Sequence, residues 1–141
     1  MRGLLPLLCL AALAGCGRAP PPPSAGALPV AGQGGSIEWQ GQRSCVDCDG
    51  IATRLVLHEG PKGRDYDLIE VFSSAGEDAR FAEHGRWQRD MALLRLQGDR
   101  GSRRAYALLP DGRLQPRDAH GDPLDDDVDD DLLVPVSGSA P

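Results

Sequence analysis

Short segments in which large apolar residues alternate with polar ones recur along the middle of this 141-residue chain. In residues 53–58, Leu55 and Leu57 share one face, and residues 65–72 carry three large side chains at the same period of two. A Gly-Pro-Lys-Gly turn signal at 60–63 separates the two segments. Alternation of this kind is typical of strands with one buried face, so the pattern predicts an all-β fold. Short strands at this spacing indicate an antiparallel meander that curls into a sandwich or small barrel.

The predicted strands cover residues 36–40, 53–58, 65–72, 81–89, 91–96 and 103–109, with Leu114 in a short last strand. We predict a loop at 73–78, and Gly85 indicates a bulge or a close approach of another backbone. Helix signals are weak throughout this region. The predicted core consists of Leu55, Leu57, Tyr66, Leu68, Phe72, Phe81, Trp87, Leu94, Leu96, Tyr106 and Leu108.

The amino terminus has the layout of an export signal. Arg2 is followed by an apolar run at 4–14, and small residues then precede Cys16. The run is too short to cross a bilayer, which needs about 20 apolar residues. With its cysteine the segment resembles the bacterial lipoprotein signal, which implies cleavage after Gly15 and attachment of lipid to Cys16. An ordinary signal peptide with an unrelated cysteine is the alternative. We therefore assign residues 1–15 to a lipoprotein signal peptide.

Residues 16–35 read as a lipid-anchored tether between that anchor and the folded domain. Pro, Gly, Ala, Ser and Gln dominate the stretch, which includes four successive prolines at 20–23. Such a composition buries too little apolar surface to fold, and its proline-rich part is extended. Gly17 stands where an aspartate would indicate inner-membrane retention in well-studied Gram-negative lipoproteins. We therefore expect an outer-membrane location facing the periplasm, with a single domain at residues 36–122.

The acidity of the chain is local. The net charge is −6, but seven aspartates lie between residues 122 and 131. We predict residues 123–141 to be an acidic, disordered tail whose like charges repel one another. A calcium loop starting at Asp125 fails, because Asp130 and Val136 stand where an EF-hand needs glycine and glutamate. No basic surplus exists elsewhere, so we expect no nucleic-acid partner.

The sequence GQRSCVDCDGI at 41–51 resembles the opening of NlpE-type domains, a family described as copper-resistance or envelope-stress lipoproteins. Phe81, Gly85 and Trp87 continue the resemblance, which extends over about residues 39–121. Ser44 and Val46 depart from the proline and alanine that are usual there, and we do not expect the second domain that some members carry.

The resemblance to the NlpE type implies a fold and a role. The family fold is a small, partly open β-barrel that has been likened to a lipocalin. The implied function is copper tolerance or envelope-stress sensing, through contact with a signalling protein of the envelope. The alternative is a lipocalin-like carrier of a small hydrophobic ligand, which predicts an open cavity rather than a filled interior.

Cys45 and Cys48 remain as a pair once Cys9 leaves with the signal and Cys16 is acylated. In an oxidising compartment a disulfide that stiffens their loop is the default expectation. A redox-sensitive pair is the second interpretation, although the flanking aspartates raise thiol pKa values and oppose it. Copper is the third, because two thiolates suit Cu(I) only while they are reduced.

No arrangement of residues typical of catalysis is present, so we expect a binding protein that is not an enzyme and requires no cofactor. A weak thiol oxidoreductase is the enzymatic alternative. The histidines, His58, His84 and His120, have no ligand spacing and read as exposed strand or turn residues.

Overall fold

The computed structural model describes residues 35–124 and 131–136. The regular structure in these ranges consists of strands. They are β1 (Ser36–Arg43), β2 (Gly50–Gly60), β3 (Gly63–Ser74), β4 (Glu77–Asp90), β5 (Leu93–Gly98), β6 (Arg103–Leu108), β7 (Leu114–Arg117) and β8 (Val134–Pro135). The predicted all-β class is confirmed.

One antiparallel sheet contains all eight strands, in the order β7-β6-β5-β4-β3-β2-β1-β8. Strands β1 to β7 follow one another as a meander, as the turn signals predicted. The turn between β2 and β3 falls on the proline and lysine of the predicted turn, and the next hairpin turns tightly at residues 75–76, inside the predicted loop. Gly63 and Gly76 have positive φ values of 130° and 114°, which glycine adopts without strain.

The sheet curls until residues 131–136, here called the closing segment, bridge its two ends. On one side Trp39 and Gln40 of β1 pair with Pro135 and Val134. On the other side the backbones of Leu114 and Leu133 exchange two hydrogen bonds, each 2.9 Å long. The result is a nearly closed barrel, which agrees with the predicted barrel architecture. Closure removes the exposed edges of β1 and β7 where the segment lies between them.

The barrel interior is filled by side chains from every long strand. Trp39 is 0% exposed, and its indole nitrogen donates a 2.9 Å hydrogen bond to the carbonyl of Gly112 in the turn between β6 and β7. The core cluster consists of Trp39, Leu55, Leu57, Tyr66, Leu68, Trp87, Leu94, Leu96, Tyr106, Leu108, Leu114 and Leu133. Nine of the eleven predicted core residues are in this cluster, so alternation predicted the inward faces well.

Phe81 corrects the predicted core. It lies on the inward face of β4 but is 41% exposed. The cause is strand length, because β5 pairs only with Gly85–Asp90 and no described strand continues it alongside the first half of β4. Phe72, opposite that half, is only partly buried.

The predicted boundary at residue 122 also needs correction, because the closing segment lies within the stretch assigned to a disordered tail. Leu133 is 0% exposed. The aspartates at 125–130 lie outside the described residues. The prediction assigned everything after the acidic run to a tail and so missed Leu133 and the short strand β8 directly behind it.

Gly85 is a place of close backbone approach, one of the two alternatives that the sequence suggested. A Cβ atom at this position would lie 2.1 Å from the carbonyl oxygen of Gln97 on β5. Gly41 is similarly confined by the closing segment, where a Cβ would lie 2.5 Å from the carbonyl oxygen of Leu132. Because both positions are glycine, β4 can lie close to β5, and β1 can lie close to the closing segment. A larger residue at either position would push the two backbones apart.

Candidate functional site

The loop between β1 and β2 contains a disulfide between Cys45 and Cys48, whose Cα atoms are 5.3 Å apart. This is the arrangement that the structural-disulfide interpretation predicts. The cross-link closes a four-residue loop in which Val46 is 99% exposed. The side chain of Val46 therefore packs against nothing within the described part of its own fold.

Two further contacts fix the disulfide loop on opposite sides. The backbone N–H of Ser44 donates a 2.8 Å hydrogen bond to the carboxylate of Asp131, and its hydroxyl donates a second, 3.1 Å long. At the other end the N–H of Asp49 donates to the carbonyl of Ser73 on β3, at 2.8 Å. The loop is therefore tied both to the closing segment and to the β3–β4 hairpin.

A layer of charged side chains lies inside the barrel beneath this loop. Glu70, 2% exposed, accepts a 2.8 Å hydrogen bond from Arg43 and bonds of 3.2 and 3.3 Å from Arg104. Arg104 also donates to Glu83, at 3.3 Å, and the hydroxyl of Tyr66 donates to the same carboxylate at 2.6 Å. A buried carboxylate costs folding free energy unless charged donors surround it, and two arginines do so here.

The pKa shifts in this layer follow from that geometry. Burial raises the pKa of the Tyr66 hydroxyl, and its hydrogen bond to Glu83 adds to the effect. Burial opposes ionisation of Glu83, but the bonds from Tyr66 and Arg104 outweigh it and lower the pKa of that carboxyl. Glu83 is therefore ionised at neutral pH, while the hydroxyl of Tyr66 keeps its proton and donates a hydrogen bond to that carboxylate.

The end of the barrel beside the disulfide loop, here called the mouth, carries Arg43, Ile51 and Phe72, and Phe81 lies one row deeper, opposite Glu70. Register places Arg43, Ile51 and Phe72 in one row across three strands. Thr53, 3% exposed, lies one row deeper, and its hydroxyl has no hydrogen-bond partner among the residues that the structure covers. The row beneath the mouth therefore contains two polar side chains, Thr53 and Glu70.

Two histidines meet an aspartate on the outer face of the sheet. His58 and His84 each lie 3.0 Å from a different oxygen of Asp67. The hydrogen bond with Asp67 raises the pKa of His84. Burial opposes ionisation of Asp67, but its bonds from the two imidazoles lower its pKa overall. The group lies in a groove of about 870 Å³ that crosses the outer faces of β1 to β4.

Sequence spacing could not have found this histidine pair, because His58 and His84 lie 26 positions apart, with Asp67 between them. Strand register brings all three together. His120 lies in a turn, 3.5 Å from Asp118. In the ranges that the structure describes, no three His, Cys, Asp or Glu side chains are arranged to hold a metal ion.

Cys16, the predicted lipidation residue, lies outside the described residues, as do the signal and the tether up to residue 34. Within the described ranges, no helix has the length and apolar character needed to cross a membrane.

Comparison with known proteins gives three concordant matches. The family model of the NlpE N-terminal domain matches residues 39–127, which is more than half of the chain. Lipoprotein NlpE of Escherichia coli strain K12 is 32% identical over 88 residues, which cover 62% of this chain and 36% of that protein. The crystal structure of the Cpx pathway activator NlpE from Escherichia coli matches with a TM-score of 0.54 and 30% identity, over 64% of this chain and 46% of that one. The chain thus spans about a third of the curated relative's length.

Proposed function

The chain belongs to the NlpE N-terminal domain family, and from this membership we propose that it acts as a lipid-anchored sensor of stress in the Gram-negative cell envelope. It would work by binding and contact rather than by catalysis. The observation that carries the proposal is the family match over residues 39–127, which includes the disulfide loop. The related protein from Escherichia coli is described as a Cpx pathway activator.

Anchoring is the first part of the proposal. Cys16 would carry the lipid and residues 16–35 would hold the barrel away from an outer membrane, on its periplasmic side. The cysteine after small residues supports this, as does a disulfide pair suited to an oxidising compartment. Mass spectrometry of the membrane-extracted protein would report acylation, and an unacylated chain that still begins at Met1 would contradict this part.

Contact through the disulfide loop is the second part. Val46 stands at the tip, and the ties to Asp131 and Ser73 hold the loop in one position. A preorganised loop loses little conformational entropy when it binds. The partner would be a signalling protein of the envelope that recognises this apolar tip and its flanking carboxylates, Asp47 and Asp49.

The experiment places the full chain in an Escherichia coli strain that lacks its own NlpE and carries a reporter of the Cpx pathway. We expect the chain to raise the reporter signal and Val46→Asp to reduce that rise. Met91→Asp is the matched control, because Met91 is 84% exposed in a turn outside the loop. A reporter unchanged by the full chain at matched expression would refute the proposal. Equal effects of the two substitutions would refute the role of the loop.

Copper tolerance is the finer part of the proposal, and no cofactor is required for the contact function. Binding of Cu(I) by Cys45 and Cys48 needs their disulfide to be reduced, since thiolates and not a disulfide are copper ligands. The test is a Cu(I) titration of the reduced protein with Cys45→Ser as control. Absence of stoichiometric, thiol-dependent binding would refute copper as a ligand of this pair.

The filled interior supports the contact function over the alternative of a lipocalin-like carrier. Twelve buried side chains occupy the core cluster, and the charged layer around Glu70 lies between them and the mouth. A hydrophobic ligand would have to displace paired charges in order to enter. Saturable uptake of a fluorescent fatty acid by the intact protein, abolished by a bulky residue at Thr53, would instead favour the carrier.

A further inference from the structure

The first half of β4 has an unpaired edge. β5 pairs with Gly85–Asp90, and the N–H of Asp99 then donates to the carbonyl of His84, at 3.0 Å. Successive residues of a strand direct their N–H and C=O groups to opposite sides. The other even-numbered residues of β4 therefore direct theirs to the same side as His84, away from β3. The N–H and C=O groups of Asp78, Arg80 and Ala82 therefore point to an edge at which no described strand lies. Such an edge is a template for another strand.

Charges on the edge indicate which strand it accepts. Asp78 and Arg80 are exposed, and neither side chain makes an ion pair or hydrogen bond with another residue of the described ranges. If two copies pair antiparallel with residue 79 facing residue 79, Asp78 of each copy lies opposite Arg80 of the other. The register centred on Arg80 would instead place two arginines opposite each other, which is unfavourable. Opposite charges therefore select one two-fold register.

From these observations we propose that the β4 edge pairs with the same edge of a second copy, forming a weak, reversible dimer. The edge is bounded by the turn at residues 75–76 and by Asp99, so the pairing is confined to about five residues of each copy. A contact this short buries less than the roughly 1,000 Å² of a stable interface. The dimer therefore forms where copies are concentrated, as on a membrane surface, and it does not depend on the signalling role.

The proposed register fixes a distance that can be tested. Residue 79 of one copy lies in a non-hydrogen-bonded pair with residue 79 of the other, at a Cα separation of about 4.5 Å. That separation is within the range that a disulfide spans. Ala82 is the matched control, since it is also an exposed alanine on β4 but lies opposite residue 76 of the second copy.

The experiment uses the full chain, extracted in mild detergent and oxidised at high protein concentration. The unsubstituted chain measures the cross-linking that the native Cys9 and Cys16 give by themselves. We expect Ala79→Cys to give a covalent dimer several-fold faster than Ala82→Cys. Asp78→Arg and Arg80→Asp should each slow cross-linking of Ala79→Cys about tenfold, and the two together should restore it, since the reversed charges again face opposite charges. Circular dichroism would verify that each variant is folded.

Equal cross-linking at positions 79 and 82, or no cross-linking at either, would overturn the proposal. So would a double charge reversal that fails to restore the rate. If Ala79→Cys cross-links only after residues 17–34 are deleted, the edge is covered by the chain's own tether and the dimer is again refuted. None of these outcomes alters the Cpx reporter signal of the unsubstituted chain, so this test is separate from that of the proposed function.

Discussion

Leu133→Ala tests whether the closing segment is part of the folded barrel. Leu133 is 0% exposed and belongs to the same core cluster as Trp39 and Leu114. Truncation of a fully buried leucine costs about 2–5 kcal/mol, and the backbone bonds with Leu114 need no side chain. We therefore expect a loss of about 3 kcal/mol of unfolding free energy. In a domain of this size that lowers the melting temperature by roughly 10–25 °C.

Urea unfolding followed by far-ultraviolet circular dichroism measures this loss. Val134→Ala is the matched control, because Val134 is the next residue but is 51% exposed. We expect the control to change the unfolding free energy by no more than about 0.5 kcal/mol. If Leu133→Ala were as stable as the control, Leu133 would lie outside the core, and the reasoning that places the closing segment in the barrel would be refuted.

Three further predictions follow from the packing and charges of the barrel. Gly85→Ala should lower the melting temperature, because its Cβ atom would meet the carbonyl oxygen of Gln97. Gly60→Ala is the control and should leave the melting temperature unchanged, since the space around Gly60 is open. Equal melting temperatures of the two variants would contradict the close approach at Gly85. Glu70→Gln should cost about 3–5 kcal/mol in urea unfolding, because two partly buried arginines lose the buried carboxylate that pairs with them. A loss below about 1 kcal/mol would contradict a stabilising role of this ion cluster. A nuclear magnetic resonance titration should give His84 a pKa above 6.5, since Asp67 favours its charged form. Charged His84 therefore stabilises the folded state below about pH 6.5, and this contribution is lost as pH rises through the pKa of His84 in the folded protein. His84→Gln should accordingly lower the unfolding free energy at about pH 5.5 and leave it unchanged at about pH 9.

The strands and most of the core could be predicted because alternation and turn signals act locally. Leu55, Leu57 and Leu68 point inward by the period of two alone. Trp39 was missing from the predicted core, since its strand is too short and polar to reveal which face is buried. Phe81 was assigned to the core because the pattern shows which face it lies on but not whether another strand covers it.

Contacts across long sequence separations could not be read from local patterns. The buried partners of Glu70 come from β1 and β6, and only the register of the curled sheet brings Arg43 and Arg104 to it. Each of these residues alone reads as an exposed charge that favours solubility. The cysteine pair was different, because both residues lie in one short loop, and an oxidising compartment made a disulfide the default expectation beside a redox-sensitive pair and a Cu(I) site.

The way in which the barrel closes has a consequence for the order in which the chain completes its fold. The closing segment reaches β1 from the far end of the domain, and Ser44 is bound by Asp131. While the chain is synthesised from its amino terminus, Trp39 and the β1 edge therefore stay uncovered until residues 131–136 are available. Until then the uncovered edge can pair with other chains, so late closure leaves the unfinished barrel open to aggregation.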